Sequence, residues 1–270
     1  TYQVHFPYTP PAPYDEMFEP VDALQGPDER DRLRYEQETR YLDDEVGALL
    51  DAIDDLGLGV STLVVVTADH GEEFMEHGAR THGFQLYEET AHVPLMLRLP
   101  GVITPGSRIA DPVSLVDLAP TILDLTGAAP LVGIDGQSLA PLLGLGPLAP
   151  PPLTQGGPLL PDRRAVFAET HSGLLSGGSD VFSVRTAKVH CIFRPKLGTS
   201  QCYDPADDPD ERVPLRGVDQ HLLVARNQMV SYLALDPIAA LPASRQAPAP
   251  VAPSAEDERQ EKLRALGYLQ

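Results

Sequence analysis

Basic residues are scarce in this sequence: 20 Lys and Arg stand against 39 Asp and Glu over 270 residues. The resulting net charge of −19 argues against nucleic acid or an anionic membrane surface as a partner, because both repel so acidic a protein. An anionic substrate stays compatible with this charge, since a bound metal ion can reverse the local field.

Cysteines and long apolar runs are also scarce. Cys191 and Cys202 are the only two cysteines, and their spacing matches no zinc motif and predicts no disulfide framework. No run of about 18 apolar residues occurs, so we expect no transmembrane span. The sequence has neither an initial Met nor a signal peptide, and we expect an upstream part to precede Thr1.

The hydrophobic pattern predicts alternating helices and strands. A helix is expected over residues 28–56, where apolar side chains recur on one helical face. Residues 61–67 form an apolar, β-branched run typical of a strand buried on both faces of a parallel sheet. Residues 92–100 indicate a second strand, and residues 117–126 a second helix. The prediction is therefore an α/β fold with a mostly parallel sheet sandwiched by helices.

Proline and glycine mark the divisions of the chain. We expect a large unit over residues 1–150, a Pro/Gly-rich linker over 151–164, a small α+β subdomain over 165–236, and a Pro-rich spacer with a terminal helix over 237–270. Three short strands are expected in the subdomain, over residues 165–169, 180–186 and 188–193.

Half of the eight histidines lie within 23 residues after the first predicted strand: His70, His77, His82 and His92. Ligands of open α/β sheets bind at the carboxyl ends of the strands, which is where this cluster begins. Asp69 and His70 offer a carboxylate oxygen and an imidazole nitrogen that can bind one divalent cation together. The alternative for such a pair is a capping aspartate beside a buried histidine.

The other polar residues near the cluster have less specific patterns. His77 and His82 each precede a glycine, which lets the backbone approach a ligand closely, whereas His92 fits a structural role at a strand start. His5, in VHFPY, could point into a cleft and protonate a leaving group. Five glutamates are expected to form a solvated face: Glu72, Glu73, Glu76, Glu88 and Glu89.

The segments around this cluster resemble a known family. TLVVVTADHGEEFMEHG, followed by THGFQLYEETAHVPLMLRLPG, resembles the sulfatase family of the alkaline phosphatase superfamily. It is especially similar to the iduronate-2-sulfatase-like and tetratricopeptide-associated bacterial members. HFPYTPPAPYDEMF is similar to the family's His-x-Pro-Tyr segment, and later segments match in the same order. The resemblance implies an alkaline phosphatase-like fold, with its N-terminal part missing here, and a small C-terminal subdomain.

The resemblance also implies roles for four residues. Asp69 and His70 fall on a pair of metal ligands, for Ca²⁺ in sulfatases and for Mn²⁺ or Zn²⁺ in related phospho-enzymes. His5 falls on a histidine that binds substrate and assists the leaving group. His82 lies where many sulfatases carry a lysine that contacts the sulfate, and we expect it to bind substrate and act in catalysis. The implied partner is a sulfated small molecule or carbohydrate, in the periplasm or outside the cell, and the oligomeric state stays open.

The sequence departs from the family pattern at the nucleophile. Sulfatases carry it in Cys/Ser-x-Pro-x-Arg, where the Cys or Ser becomes formylglycine, and neither CIFRP at Cys191 nor CYDPA at Cys202 matches. An upstream Asp-Asp metal pair is missing too. We therefore expect the C-terminal part of a sulfatase, catalytically inert alone. The alternatives are a phosphonate monoester hydrolase, phosphodiesterase or phosphoethanolamine transferase of the same superfamily, or a binding protein that has lost the nucleophile.

Overall fold

The computed structural model describes residues 4–18, 26–145, 164–171, 180–217 and 220–235. Most of the predicted linker over 151–164 and all of the spacer and terminal helix over 237–270 lie outside the described residues, so those predictions stay untested. None of the described helices is long and apolar enough to cross a membrane.

Helix α1 (Pro27–Asp55) follows directly from its sequence. Pro27 occupies the first helical position, where a backbone N–H would have no partner within the helix. The Glu29 carboxylate accepts a hydrogen bond from the Gly26 N–H at 3.3 Å. The chain leaves the helix at Gly57, whose φ of 70° is a left-handed conformation that glycine adopts without strain. The helix predicted over residues 28–56 is confirmed.

Helix α1 holds the N-terminal segment (residues 4–18) in place through a buried carboxylate. Glu38 is 2% exposed, and its two oxygens accept the backbone N–H groups of Val4 at 2.9 Å and Thr9 at 2.6 Å. A buried charge of this kind is tolerated only when it is hydrogen-bonded, so the two amides fix the segment against the helix. His5 lies between these two anchor points.

Strands β1 (Val64–Thr67) and β4 (Leu95–Arg98) form an antiparallel pair, with Val64 opposite Arg98 and Thr67 opposite Leu95. Both predicted strands exist, but the prediction of a mostly parallel sheet is wrong for the described residues, whose three sheets are all antiparallel. A parallel pair needs a crossover connection, usually a helix of a dozen or more residues. The chain instead turns back between β1 and β4 without one.

The returning segment, which we call the site loop (residues 68–94), contains three short elements. Strands β2 (Glu73–Phe74) and β3 (Arg80–Thr81) pair with each other, and helix α2 (Glu88–Ala91) follows. The loop closes on itself at Gly71, whose N–H donates to the Thr90 carbonyl at 2.9 Å. A Cβ at Gly71 would collide with the Glu89 carbonyl, which explains the glycine after Asp69–His70.

Helix α3 (Leu118–Thr126) confirms the second predicted helix and extends a 3-10 turn, Leu115–Asp117. Asp117 is 2% exposed and accepts backbone N–H groups from Ser114 at 2.8 Å and Gln137 at 2.9 Å. Its carboxylate also pairs with Arg164, the residue that begins the next described segment. Asp117 therefore ties three separate parts of the chain together.

A four-stranded antiparallel sheet forms the C-terminal unit, in the order β5 (Val166–Thr170), β6 (Val181–Arg185), β7 (His190–Arg194) and β8 (Thr199–Tyr203). Helix α4 (Gln220–Leu235) packs on it. The three predicted strands are confirmed. Strand β8 and helix α4 were not predicted from the sequence.

The two faces of this sheet carry different layers. Helix α4 covers one face and buries an apolar cluster with it: Phe182, Val184, Val189, Cys191, Cys202, Leu222, Ala225 and Met229. Leu86 and Tyr87 of the site loop cover the other face, against Val181, Ile192 and Tyr203. The sheet therefore supports the site loop directly.

Cys191 and Cys202 form a disulfide, which their spacing in the sequence did not predict. They lie opposite each other on β7 and β8, in the antiparallel register that also pairs His190 with Tyr203. Residues directly opposite on antiparallel strands bring their Cβ atoms close enough for a bond. The link is thus a product of strand register, which spacing alone does not show.

Candidate active site

The structure brings the four predicted site residues together. The rings of His70 and His82 stack, with centroids 3.9 Å apart and 27° between the planes. The His5 ring meets the His82 ring edge-on, with centroids 5.4 Å apart. Asp69 adjoins this group, because one of its carboxylate oxygens is 3.7 Å from Nε2 of His70. Residues 77 positions apart in the chain therefore share one surface.

Asp69 and His70 offer two donor atoms that could bind a divalent cation. Nδ1 of His70 is 2.9 Å from the Gly71 carbonyl oxygen, which can only accept, so Nδ1 carries the proton. In the neutral ring this leaves a lone pair on Nε2, the atom nearest the Asp69 carboxylate. A backbone carbonyl that fixes the tautomer of a histidine in this way is typical of metal ligands. The two donors fit a divalent cation, although a hard cation takes about six ligands and needs others besides these.

Hydrogen bonds link His82 to Glu72, and Glu72 to Tyr8. Its Nδ1 is 3.0 Å from Oε1 of Glu72, and Oε2 of Glu72 accepts the Tyr8 hydroxyl at 2.5 Å. The Glu72 side chain is 5% exposed and that of His82 15%. Burial raises the pKa of the Tyr8 phenol, and the hydrogen bond to Glu72 raises it further, so Tyr8 remains the donor at neutral pH.

The His5 ring contacts the backbone of the next residue. Its Nδ1 is 2.7 Å from the Phe6 carbonyl oxygen and, like Nδ1 of His70, must donate to it. The N-terminal segment also carries Tyr8, which packs edge-on against Phe6 and Tyr35 at 5.8 Å and 5.6 Å between ring centroids. The aromatic contacts and the Glu38 anchor together fix the position of His5 relative to the site loop.

His77 belongs to a separate, structural network. Its ring stacks on Tyr87 at 3.7 Å, Nδ1 is 2.6 Å from the Glu89 carboxylate, and Nε2 is 3.1 Å from the Glu211 carbonyl. Both ring nitrogens therefore face acceptors. The nearby Glu73 is 2% exposed, and burial raises its pKa even though backbone N–H groups of the loop donate to it. Glu73, His77 and Glu89 lie close enough to hold an ion, but each already has a hydrogen-bond partner.

A third polar cluster joins the site loop to the C-terminal sheet. His190 on β7 is 2% exposed, and its Nδ1 is 2.5 Å from the carboxylate of Glu211, itself 1% exposed. The other oxygen of Glu211 accepts the Glu88 backbone N–H at 3.0 Å. The Glu88 carboxylate in turn pairs with Arg185 on β6 at 3.1 Å. This cluster fixes the end of the site loop against the sheet.

The expectation of a solvated face of glutamates is wrong. Glu72 and Glu73 are buried, and Glu88 and Glu89 are half-buried and paired with basic groups. The contacts that bury Glu72 include Tyr8, 64 residues earlier in the chain. The one local signal was the position of Glu72 directly after Asp-His-Gly. His92 is largely exposed and pairs with Glu88, in agreement with a structural role.

Comparisons with known proteins point to one family. The profile described as "Sulfatase" matches residues 1–128. Arylsulfatase K of Xenopus laevis is 44% identical over 94 residues, which are 35% of this chain and 17% of that protein. The chain thus matches only a small part of the length of this curated relative.

Two solved structures share the fold more broadly. One, determined with its substrate D-glucosamine-2-N,6-O-disulfate, is 24% identical, with a TM-score of 0.61 over 80% of this chain and 45% of its own. The other is the phosphonate monoester hydrolase of Agrobacterium radiobacter, 25% identical, with a TM-score of 0.58 over 77% of this chain and 41% of its own. The family match includes His5, Asp69, His70 and His82. Residues 1–128 therefore match the sulfatase family, and this stretch contains all four candidate site residues.

Proposed function

We propose that this chain contributes to the active site of a metal-dependent sulfatase that hydrolyses a sulfate ester. The observation that carries the proposal is the convergence of three imidazoles, from His5, His70 and His82, beside the Asp69 carboxylate. The oxygens of a sulfate ester accept hydrogen bonds and carry negative charge. Imidazole N–H groups and a cation held by Asp69 would satisfy both properties on a surface that is otherwise strongly acidic.

Each of the four residues has a role in this proposal. Asp69 and His70 hold the cation, which when bound neutralises charge on the ester oxygens. His82, when protonated on both ring nitrogens, donates a hydrogen bond from Nε2 to a sulfate oxygen while Nδ1 donates to Glu72. His5 gives a proton to the leaving oxygen. Hydrolysis also requires an in-line nucleophile, and the 270 residues contain no Cys/Ser-x-Pro-x-Arg segment. The proposal therefore assigns the nucleophile to residues outside this sequence.

The substrate we propose is a sulfated carbohydrate or other small sulfate ester, with Ca²⁺ as the first choice of cation. The relative solved with a disulfated glucosamine supports the carbohydrate. The second candidate is phosphonate ester hydrolysis, which the similarity to the Agrobacterium radiobacter enzyme favours. Mn²⁺ or Zn²⁺ would suit that reaction, and a ligand set that includes an imidazole nitrogen is compatible with either ion.

The test compares both reactions in the full-length protein. We expect kcat/KM for an aryl sulfate to exceed that for an aryl phosphonate monoester. Asp69→Asn is expected to lower the bound metal measured by mass spectrometry and to reduce kcat/KM at least about 100-fold, because it weakens a direct ligand. His92→Ala, in the same loop but outside the cluster, is the matched control and should change kcat/KM less than about threefold.

Three outcomes would contradict the proposal. A preference for the phosphonate ester would favour the second candidate. Full metal content and activity in Asp69→Asn would remove Asp69 from the site. Metal binding without turnover of either ester would indicate a binding protein. Residues 1–270 expressed alone should be inactive, and turnover of an aryl sulfate by them would refute the assignment of the nucleophile to another segment.

A further inference from the structure

We propose that Glu72 is the positioning residue of His82, and that Tyr8 holds Glu72 in the orientation this task needs. The inference rests on the proposed function, because it concerns how His82 presents itself to the sulfate. It adds two residues, one from the site loop and one from the N-terminal segment, to the four that the sequence pattern indicated.

Both oxygens of the Glu72 carboxylate accept hydrogen bonds. Oε1 is 3.0 Å from Nδ1 of His82 and Oε2 is 2.5 Å from the Tyr8 hydroxyl, so each oxygen has its own donor. The side chain is 5% exposed and cannot turn towards water to satisfy itself elsewhere. A buried carboxylate held at both oxygens has one orientation, and that orientation directs Oε1 at His82.

The contact with Glu72 determines the tautomer of the His82 ring. A carboxylate accepts hydrogen bonds, so Nδ1 carries a proton and donates it to Glu72. The proposed function then assigns Nε2 to the sulfate, in a ring that stacks on His70 and meets the edge of the His5 ring. Glu72 thus fixes both the tautomer and the plane of the ring, which are the two properties that a hydrogen-bonding partner sets in a functional histidine.

Tyr8 is held in place by an aromatic cluster, which makes its contact with Glu72 rigid. Tyr8 is 5% exposed and is surrounded by Phe6, Tyr35 and Phe74, with ring centroids 5.6 to 5.8 Å away. Its hydroxyl therefore reaches Glu72 from a fixed aromatic cluster. Because Tyr8 and His5 lie on the same short segment, one hydrogen bond joins that segment to the loop that carries His82.

The same loop offers an internal comparison. Glu89 pairs with His77 at 2.6 Å, which is the same chemistry as the pair of Glu72 with His82. The two pairs differ in the second ring nitrogen: Nε2 of His77 is 3.1 Å from the Glu211 carbonyl, away from the proposed site. Glu89 is therefore a control for the removal of a glutamate that pairs with a histidine of this loop.

The experiment compares Glu72→Leu, Glu72→Gln, Tyr8→Phe and Glu89→Leu in the full-length protein. The first readout is the tautomer of His82 from the ring ¹⁵N chemical shifts of ¹⁵N-histidine-labelled protein at pH 8, with His82→Gln to assign the signal. The wild-type protein should show protonated Nδ1. Glu72→Leu should show a mixture of tautomers, and Glu72→Gln should restore part of the wild-type signal, because an amide oxygen also accepts. Tyr8→Phe, which removes one hydroxyl, should give a smaller change, and Glu89→Leu none.

The second readout is kcat/KM for an aryl sulfate, with folding checked by thermal unfolding. We expect a 10- to 100-fold loss in Glu72→Leu, as is common for residues that orient a functional group, partial recovery in Glu72→Gln, and less than about a threefold loss in Glu89→Leu. An unchanged His82 tautomer in Glu72→Leu, or equal losses in Glu72→Leu and Glu89→Leu, would overturn the inference. Full activity in His82→Gln would instead overturn the proposed role of His82, and the tautomer readout would still decide whether Glu72 orients it.

Discussion

The two faces of the C-terminal sheet are built from different chemistry. The face under α4 is apolar and includes the Cys191–Cys202 disulfide. The face under the site loop combines Leu86 and Tyr87 with a buried ionic cluster around Glu211. Apolar burial stabilises without directional demands, whereas a buried ion pair depends on every partner being present. The first face therefore holds the unit together, and the second determines where the site loop lies.

The ionic face should be the more sensitive of the two to a single substitution. Glu211→Ala leaves His190 buried without its partner and removes the acceptor of the Glu88 N–H. Each buried donor left without its acceptor costs about 1–3 kcal/mol, so the two lost hydrogen bonds together amount to about 2–6 kcal/mol. We expect a loss of this size in the free energy of unfolding, measured by urea denaturation.

Asp210→Ala is the matched control, because Asp210 precedes Glu211 in the chain but is exposed. It should change the free energy of unfolding by no more than about 0.5 kcal/mol. Equal effects of the two substitutions would mean that the ionic cluster does not hold the loop to the sheet.

The α4 face should lose less when its covalent link is removed. The disulfide joins residues 11 positions apart, and closure of so short a loop contributes about 2–3 kcal/mol. The double variant Cys191→Ala/Cys202→Ala should lose this amount while the His82 ring signals keep their wild-type shifts. Dithiothreitol should destabilise the wild-type protein and leave the variant unaffected. A change in the His82 signals would show that the two faces are not separable.

Local patterns in the sequence were enough to predict the elements that depend on neighbouring residues. Helix α1 and strand β1 occur close to the predicted bounds, because apolar periodicity and Gly57 act within a few residues. Asp69 and His70 lie just after β1, as the pattern predicted, and their role as metal ligands stays a prediction. The partner of each strand could not be predicted in this way. The β-branched run of β1 suits a parallel or an antiparallel partner equally, and only the path of the site loop decides.

Candidate site residues could be predicted only where the residue type itself indicates a chemical role. Histidines are rare enough to attract notice, and four candidate residues came from that signal and the family resemblance. Glu72 is one of several similar glutamates, and its burial comes from Tyr8, 64 residues away. The disulfide was missed for the same reason, since the register of β7 and β8 places Cys191 opposite Cys202. In both cases the determining contact is absent from the local sequence.

The smallest effect should come from His92, at the solvent edge of the ionic face. Its hydrogen bond to Glu88 raises the pKa of His92. Burial alone would raise the pKa of Glu88, but the hydrogen bond from His92 and the charges of Arg185 and His190 hold it below its ordinary value. A raised histidine pKa stabilises the folded state below the unfolded value of about 6.5, and this contribution disappears as the pH rises through the folded pKa.

Because the His92 side chain is 77% exposed, solvent screening should limit the contribution to less than about 0.5 kcal/mol. The measurement is the difference in unfolding free energy between the wild-type protein and His92→Gln, at pH 5.5 and at pH 9. The wild type should be slightly more stable at pH 5.5 and indistinguishable at pH 9. A difference that grows towards pH 9 has the wrong sign for this pair, and would mean that His92 acts on the ionic face through contacts other than Glu88.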